Sequence, residues 1–250
     1  MIRLRLPLVL LAALLWTGCG SSAPLSIQSD PTEAVSFTVV SDSLEGDPAI
    51  LAMVAPYSRE MDAQISEVVG RADAEIREGR PEGPLGTFAA NAMLSVVQDM
   101  TDRPVDMALT NNGGLRVPIG PGDITVGKMF ELMPFDNMMI ILDLTADQVR
   151  ALAARLARGG GDPIAGFSFL ITADGGVEDL KVGGAELVED RIYRLVTSDY
   201  LANGGGPYEV MWEVTAREEL AYLLRDAFTD HLREIGFIEN TTEGLIRRVQ

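Results

Sequence analysis

Apolar and polar residues change rhythm repeatedly along this chain, and each change marks an element. Behind Asp47 and Pro48, Ile50, Leu51, Val54, Met61 and Ile65 recur at near-helical spacing. A cap residue followed by proline at the first helical position predicts a long helix, bent near Pro56. "SFTVV" (36–40) and "VVGRADAEI" (68–76) read as strands. Phe88, Met93, Leu94 and Val97 give "PLGTFAANAMLSVVQDM" (84–100) a helical face for a core. A strand "VDMALTN" (105–111) runs into "NGGLRVPIGPGD", and "VGKMFELMPF" reads as a short helix stopped by Pro134. "MMIILDL" (138–144) is a buried strand. Thr145 with Gln148 forms a capping-box pattern opening the helix "ADQVRALAARLARG". Strands follow at "GFSFLIT", "VEDLKVG" and "RIYRLVTSDY". Thr215 with Glu218 repeats the capping-box pattern ahead of a helix over 216–236, and "EGLIRRV" is a last strand. Strands and helices alternate without a strict βαβ period, so the pattern predicts an α/β or α+β fold with more than one sheet.

The start of the chain has another character. Arg3 and Arg5 precede "LPLVLLAALLW", an apolar run too short for a membrane span and suited to the h-region of a signal peptide. It ends at "WTGCGSS", which resembles a bacterial lipobox with Cys19 as the residue that takes the lipid. Trp16 departs from the small aliphatic residue usual three places before that cysteine. Cys19 is the one cysteine in the chain, so it has no intrachain disulfide partner. The following "GSSAPLSIQSDPTEA" is a small, polar tether. The expectation is a signal peptide over 1–18, a tether over 19–35 and one domain over 36–250. The product would be an exported lipoprotein on the periplasmic or cell-surface side of a bacterial envelope.

Charge and missing motifs narrow the function. The 250 residues carry 20 basic and 37 acidic side chains, a net −17. Cleavage after residue 18 would remove two arginines and make the balance more acidic still. Such a surface repels nucleic acid and anionic lipid, leaving the membrane a partner only through the anchor. Any anionic ligand needs local arginines. HExxH, a cysteine cluster, GxSxG and a Walker lysine are all absent, which removes the zincin, zinc-ribbon, serine-hydrolase and P-loop readings. "RGGGD" (158–162) follows a helix, whereas a phosphate-cradling loop precedes one, so it reads as a helix stop. The single histidine, His231, reads as a solvated residue on the polar side of the last long helix. No evident catalytic centre remains.

Three stretches do remain. "LTNNGGLR" offers the amides Asn111 and Asn112, the permissive Gly113 and Gly114, and Arg116, whose fork suits phosphate or carboxylate. "LMPFDN" places Phe135 after a proline that restricts its backbone. "SDYLANGGGPY" sets Tyr200 beside Asn203 and three glycines. Two rings, amides and an arginine would suit a flat base carrying phosphate.

In this order and spacing, "NNGGLR", "PFDN" and "YLANGGGPY", with "PLGTFAANAM" before them, resemble the C-terminal domain of the 5'-nucleotidase / UDP-sugar hydrolase family, from about Ser36 to about Phe237. The resemblance implies a four-layer α/β/β/α domain that stacks a nucleotide base between two rings, Phe135 and Tyr200. Asn111 and Arg116 would contact the nucleotide. Arg80 lies one residue out of register with the family's upstream arginine, and Thr87 replaces the asparagine of its "LGN" motif. Gly206 stands where the family keeps an acid for the ribose. The enzymes of this family hydrolyse at two metal ions in a separate N-terminal metallophosphatase domain, which one histidine in 250 residues cannot replace. The implied role is substrate recognition within nucleotide catabolism, with no cofactor in this chain and divalent metals only in a separate metallophosphatase chain. The alternatives are a stand-alone nucleoside-binding lipoprotein and a degenerate module without ligand.

Overall fold

The computed structural model describes residues 44–249. The signal-peptide pattern, Cys19, the tether and the strand expected over 36–40 lie outside them. Helix α1 (Pro48–Ile65) forms where the spacing predicts and runs through Pro56. It buries none of its residues, and Leu51, Met53, Tyr57 and Met61 are among its exposed side chains. From there the chain forms β1 (Val68–Ala72), α2 (Pro84–Gln98), β2 (Met107–Leu109), β3 (Gly122–Thr125), α3 (Val126–Leu132) and β4 (Met138–Leu144). Then come α4 (Ala146–Gly159), β5 (Ile164–Ala165), β6 (Phe167–Ile171), β7 (Val177–Val182), β8 (Ala185–Glu186) and β9 (Tyr193–Ser198). The last elements are α5 (Asp199–Ala202), β10 (Ala216–Leu223), α6 (Leu224–Ile235) and β11 (Ile246–Arg248).

Among the described residues the strands form three sheets, ordered β1-β3, β10-β4-β9-β2-β5 and β11-β6-β7-β8. The five-stranded sheet separates two apolar cores, and its side chains alternate between them with the period of two that a strand imposes. Ala108, Met139, Ile141 and Val196 join α2, α3 and α6 on one face. Met107, Leu109, Ile140, Leu142, Tyr193 and Leu195 join α4 and the four-stranded sheet on the other. Burial on both faces explains why "MMIILDL" is a continuous apolar run rather than an alternating one. This is the mixed α/β architecture the pattern predicts.

The two capping-box patterns meet different fates. At Thr145, the hydroxyl accepts from Gln148 N and the Gln148 side chain accepts from Thr145 N, so α4 starts where expected. It ends at Gly160 in the left-handed region, φ 81°, which makes "RGGGD" the helix stop it resembles. At Thr215 the expected helix is not there. Residues 216–223 instead form β10, antiparallel to β4 from Ala216↔Asp143 to Leu223↔Met138. Thr215 N donates to Asp143 O, and Glu218 is taken by an ion pair with Arg194 at 2.5 Å. An open sheet edge thus overrides helix propensity, and α6 begins at Leu224 with no side-chain cap.

Arg194 is itself buried in β9. Its guanidinium meets Asp143 at 3.4 Å and Thr101 Oγ1 at 3.1 Å, and also donates to the Arg103 carbonyl. Asp143, on the neighbouring β4, is buried with it. Their pairing lets two charges sit on a sheet face that otherwise feeds the core.

His231 corrects another expectation. It is half-buried on α6 with its ring centroid 6.1 Å from that of Phe88, and Nδ1 is buried without a hydrogen-bond partner. Burial lowers its pKa, against a smaller opposing pull from Glu234. The folded state therefore prefers neutral imidazole. That contribution is fully present above the unfolded value near 6.5 and is lost as pH falls through the lower folded value. Between pH 7.5 and 5.5 the urea midpoint of wild type is expected to fall relative to that of His231→Phe. A constant difference would refute the assignment.

Candidate functional site

β2 and β9 run parallel and adjacent, with Met107 opposite Leu195 and Ala108 opposite Val196, so both strands end on one edge of the sheet. β4 is antiparallel to β9 and begins there, with Met139 opposite Ser198. Three connections thus meet at the same edge, and the crevice outside strand carboxyl ends is where open α/β sheets hold ligands. Here it is a cleft of about 540 Å³.

The first wall leaves β2 at Thr110. Asn112–Gly114 form one tight turn, closed by Gly114 N donating to Asn111 O and Leu115 N to Asn112 O. The Asn111 amide lies across both glycines, since a Cβ at Gly113 or Gly114 would come within 3.3 Å of it. Leu115 is buried and Arg116 N donates to Leu132 O at 2.9 Å, which leaves the Arg116 side chain at the surface. Its guanidinium donates to Gly113 O at 3.1 Å and sits 6.0 Å from the Phe135 ring centroid.

The second wall is the segment after α3. Phe135 is 42% exposed. Arg225 on α6, 7% exposed, holds its backbone. The guanidinium donates to Met133 O at 3.2 Å, Phe135 O at 3.4 Å and Asp136 Oδ1 at 3.1 Å, and lies 4.0 Å from the Phe130 ring centroid. The chain beneath the exposed Phe135 ring is thus fixed.

The third wall is α5. Ser198 caps it, its hydroxyl accepting from Leu201 N. Asp199 Oδ1 accepts from Tyr200 N at 2.7 Å and from the Asn137 amide at 2.8 Å, tying this wall to the second. Tyr200 is 49% exposed on the cleft. A Cβ at Gly205 would overlap the Tyr200 ring, so the loop backbone supports that ring directly. Gly204, φ +91°, lies under Trp212, whose ring would be 3.5 Å from a Cβ there. At Gly206 a Cβ would meet Leu201 at 2.8 Å and Tyr208 at 3.1 Å, so this position points into packing.

Asn111, Gly113, Gly114, Arg116, Phe135 and Tyr200 therefore line one cleft, with Asp136, Asn137 and Ser198 beside them. Two other sequence candidates lie elsewhere. Arg80 donates to the carbonyls of Gly159, at 2.6 Å, and Gly161. The Asn203 side chain accepts from Arg217 at 2.8 Å. Arg225 and the Asn137–Asp199 link were missed by sequence reasoning. Asn137 stood inside the "PFDN" stretch, whereas Arg225 is almost 90 residues away and carried no local signal. Among the described residues no group of three or more His, Cys, Asp and Glu side chains is placed to hold a metal ion.

Residues 63–213 match the family described as 5'-nucleotidase, C-terminal domain, and the chain belongs to it. Among curated proteins it is 28% identical over 244 residues to the trifunctional nucleotide phosphoesterase YfkN of Bacillus subtilis, covering 89% of this chain and 16% of that protein. It is 27% identical over 165 residues to UshA of Escherichia coli, covering 64% of this chain and 30% of UshA. Among solved structures, the 5'-nucleotidase precursor of Thermus thermophilus superposes with a TM-score of 0.66 at 26% identity, covering 81% of this chain and 42% of that one. The chain therefore spans less than half the length of each of these relatives.

Removing the Arg225 guanidinium would leave two carbonyls unpaired beneath Phe135. Arg225→Met is expected to cost about 1–3 kcal/mol in denaturant unfolding and to expose the 133–137 segment to limited proteolysis. Unchanged protection there would show that Arg225 does not hold the wall.

Proposed function

We propose that this chain is the nucleotide-recognition part of a 5'-nucleotidase-type phosphohydrolase, working in nucleotide catabolism. The observation that carries the reading is the convergence of two exposed rings, Phe135 and Tyr200, with Asn111 and Arg116 around one cleft. The rings offer flat apolar surface to a base. Arg116 donates to a carbonyl rather than a carboxylate and so keeps its charge for a phosphate. Its position on the edge of the Phe135 wall would set phosphate and base at neighbouring ends of one ligand. Each base–ring stack contributes about 1–3 kcal/mol, equivalent to about 5- to 150-fold in affinity. Titration calorimetry with AMP and adenosine is expected to show binding that Phe135→Ala and Tyr200→Ala each weaken by that range. Arg116→Ala should weaken AMP more than adenosine. No heat with any nucleoside, nucleotide or UDP-sugar would reject the reading.

One histidine in these 250 residues is too few for a two-metal centre, so hydrolysis would fall to a metallophosphatase unit outside them, which we place on a partner chain. Lipidation at Cys19 would hold the pair at the envelope. Detergent extracts of native membranes should yield this chain together with a metallophosphatase, and Cys19→Ser should move the chain to the soluble fraction. Recovery of the chain alone would favour the second reading, a nucleoside-binding lipoprotein or a ligand-free module. One feature speaks for the ligand-free module. Position 206 carries no acid, and its packing against Leu201 and Tyr208 leaves no room for one without rearrangement.

A further inference from the structure

Asp162 belongs to "RGGGD", the motif that the cleft did not absorb. It lies in the connection between α4 and β5 with its side chain 15% exposed. Oδ1 accepts from both the backbone N–H and the side-chain amide of Asn112, each at 3.2 Å. Oδ2 accepts from the Tyr208 hydroxyl at 2.5 Å. Arg80 stands 3.3 Å from Oδ1 on the outer side. Asn112 opens the turn that carries Asn111, Gly113, Gly114 and Arg116. Tyr208, almost fully buried, closes the glycine loop whose Gly205 supports the Tyr200 ring. One carboxylate therefore bonds to both outer walls of the cleft while lining neither.

The carboxylate is itself held on several sides. Pro163 O accepts from Thr110 N at 3.0 Å, fixing the residue after it to the end of β2. Gly161, φ +100°, packs so closely on Pro81 that a Cβ would overlap the Pro81 carbonyl, fixing the residue before it. Arg80 reaches across from the same segment to the Gly159 and Gly161 carbonyls, and Arg155 Nε donates to Pro207 O at 2.6 Å beside Tyr208. Burial, the bond to Asp162 and the Asp162 charge all push the Tyr208 pKa up, so the phenol stays a donor.

We propose that Asp162 is a positioning residue that sets the spacing between the Arg116 wall and the Tyr200 wall, and so selects ligands long enough to engage both. This rests on the reading of the cleft as a nucleotide site. It also has a consequence that needs no ligand, because disturbing one wall must be felt at the other through Asp162.

The ligand-free arm is amide hydrogen exchange followed by mass spectrometry on the full chain. Tyr208→Phe removes only a hydroxyl. It is expected to raise exchange both at 204–208 and at 111–115, and Asp162→Ala should do the same more strongly. A change confined to 204–208 would overturn the coupling. The ligand arm is the ratio of AMP to adenosine affinity, which loss of folded protein alone leaves unchanged because it lowers both values equally. Asp162→Ala should reduce that ratio about tenfold, the scale of losing one buried charged hydrogen bond. Asp162→Asn, which keeps an acceptor for Asn112 and a partner for Tyr208, should restore most of it. An unchanged ratio in Asp162→Ala would overturn the proposal. If wild type binds neither ligand while exchange remains coupled, the nucleotide reading falls and the positioning role stands. If wild type binds both ligands but exchange is uncoupled, the nucleotide reading stands and the positioning role falls.

Discussion

Register in the five-stranded sheet is the constraint from which the cleft follows. β2 and β9 leave the sheet together, and β4 enters where they leave, because Met107 pairs with Leu195 and Met139 with Ser198. A slip of one residue would send the core-facing side chains of a strand to the opposite face. With apolar cores on both sides, that slip would bury the wrong set and strand Arg194 away from Asp143. Strand register thus does more than hold the domain together. It decides which three loops become neighbours, and the chemistry of the cleft is limited to what those loops carry.

Around the cleft and its sheet, arginines act in two distinct ways. Arg194 and Arg225 are buried and spend their donors on carbonyls, a threonine hydroxyl and carboxylates. They shape backbone: Arg225 holds the segment under Phe135, and Arg194 crosses from β9 to the end of α2 and to β10. Arg116 sits on the surface with a single carbonyl partner and is the cleft-lining cation. Arg80, a binding candidate on resemblance, is half-exposed but likewise shapes backbone, since its guanidinium stitches the Gly159–Asp162 turn to the segment before α2. The sign of the side chain was visible in the sequence. Its use was not, because that depends on which carbonyls a turn leaves unpaired.

Legibility followed locality. α2, α4 and β4 could be read from their apolar spacing and, for α4, from its cap, since these signals lie within the elements themselves. The cleft residues could be read because Asn111–Arg116, Phe135 and Tyr200 lie in short stretches whose glycines and proline mark irregular backbone. β10 could not be read, since Thr215 and Glu218 form a convincing helix start until β4 supplies an unpaired edge more than 70 residues earlier. His231 failed for a related reason: its polar neighbours on α6 hid the Phe88 ring brought over it by α2. The Asp162 contacts span 46 and 50 residues, and nothing at either end announces them.

The indole of Trp212 resting on Gly204 has a practical side. The chain contains two tryptophans, and the other, Trp16, precedes Cys19. In protein processed at that cysteine, all indole emission would come from a ring laid against the glycine loop that supports Tyr200. Such a molecule would carry its own optical label beside the loop that backs the cleft. Its quantum yield and quenching by iodide would report the packing of that loop without any dye or added group.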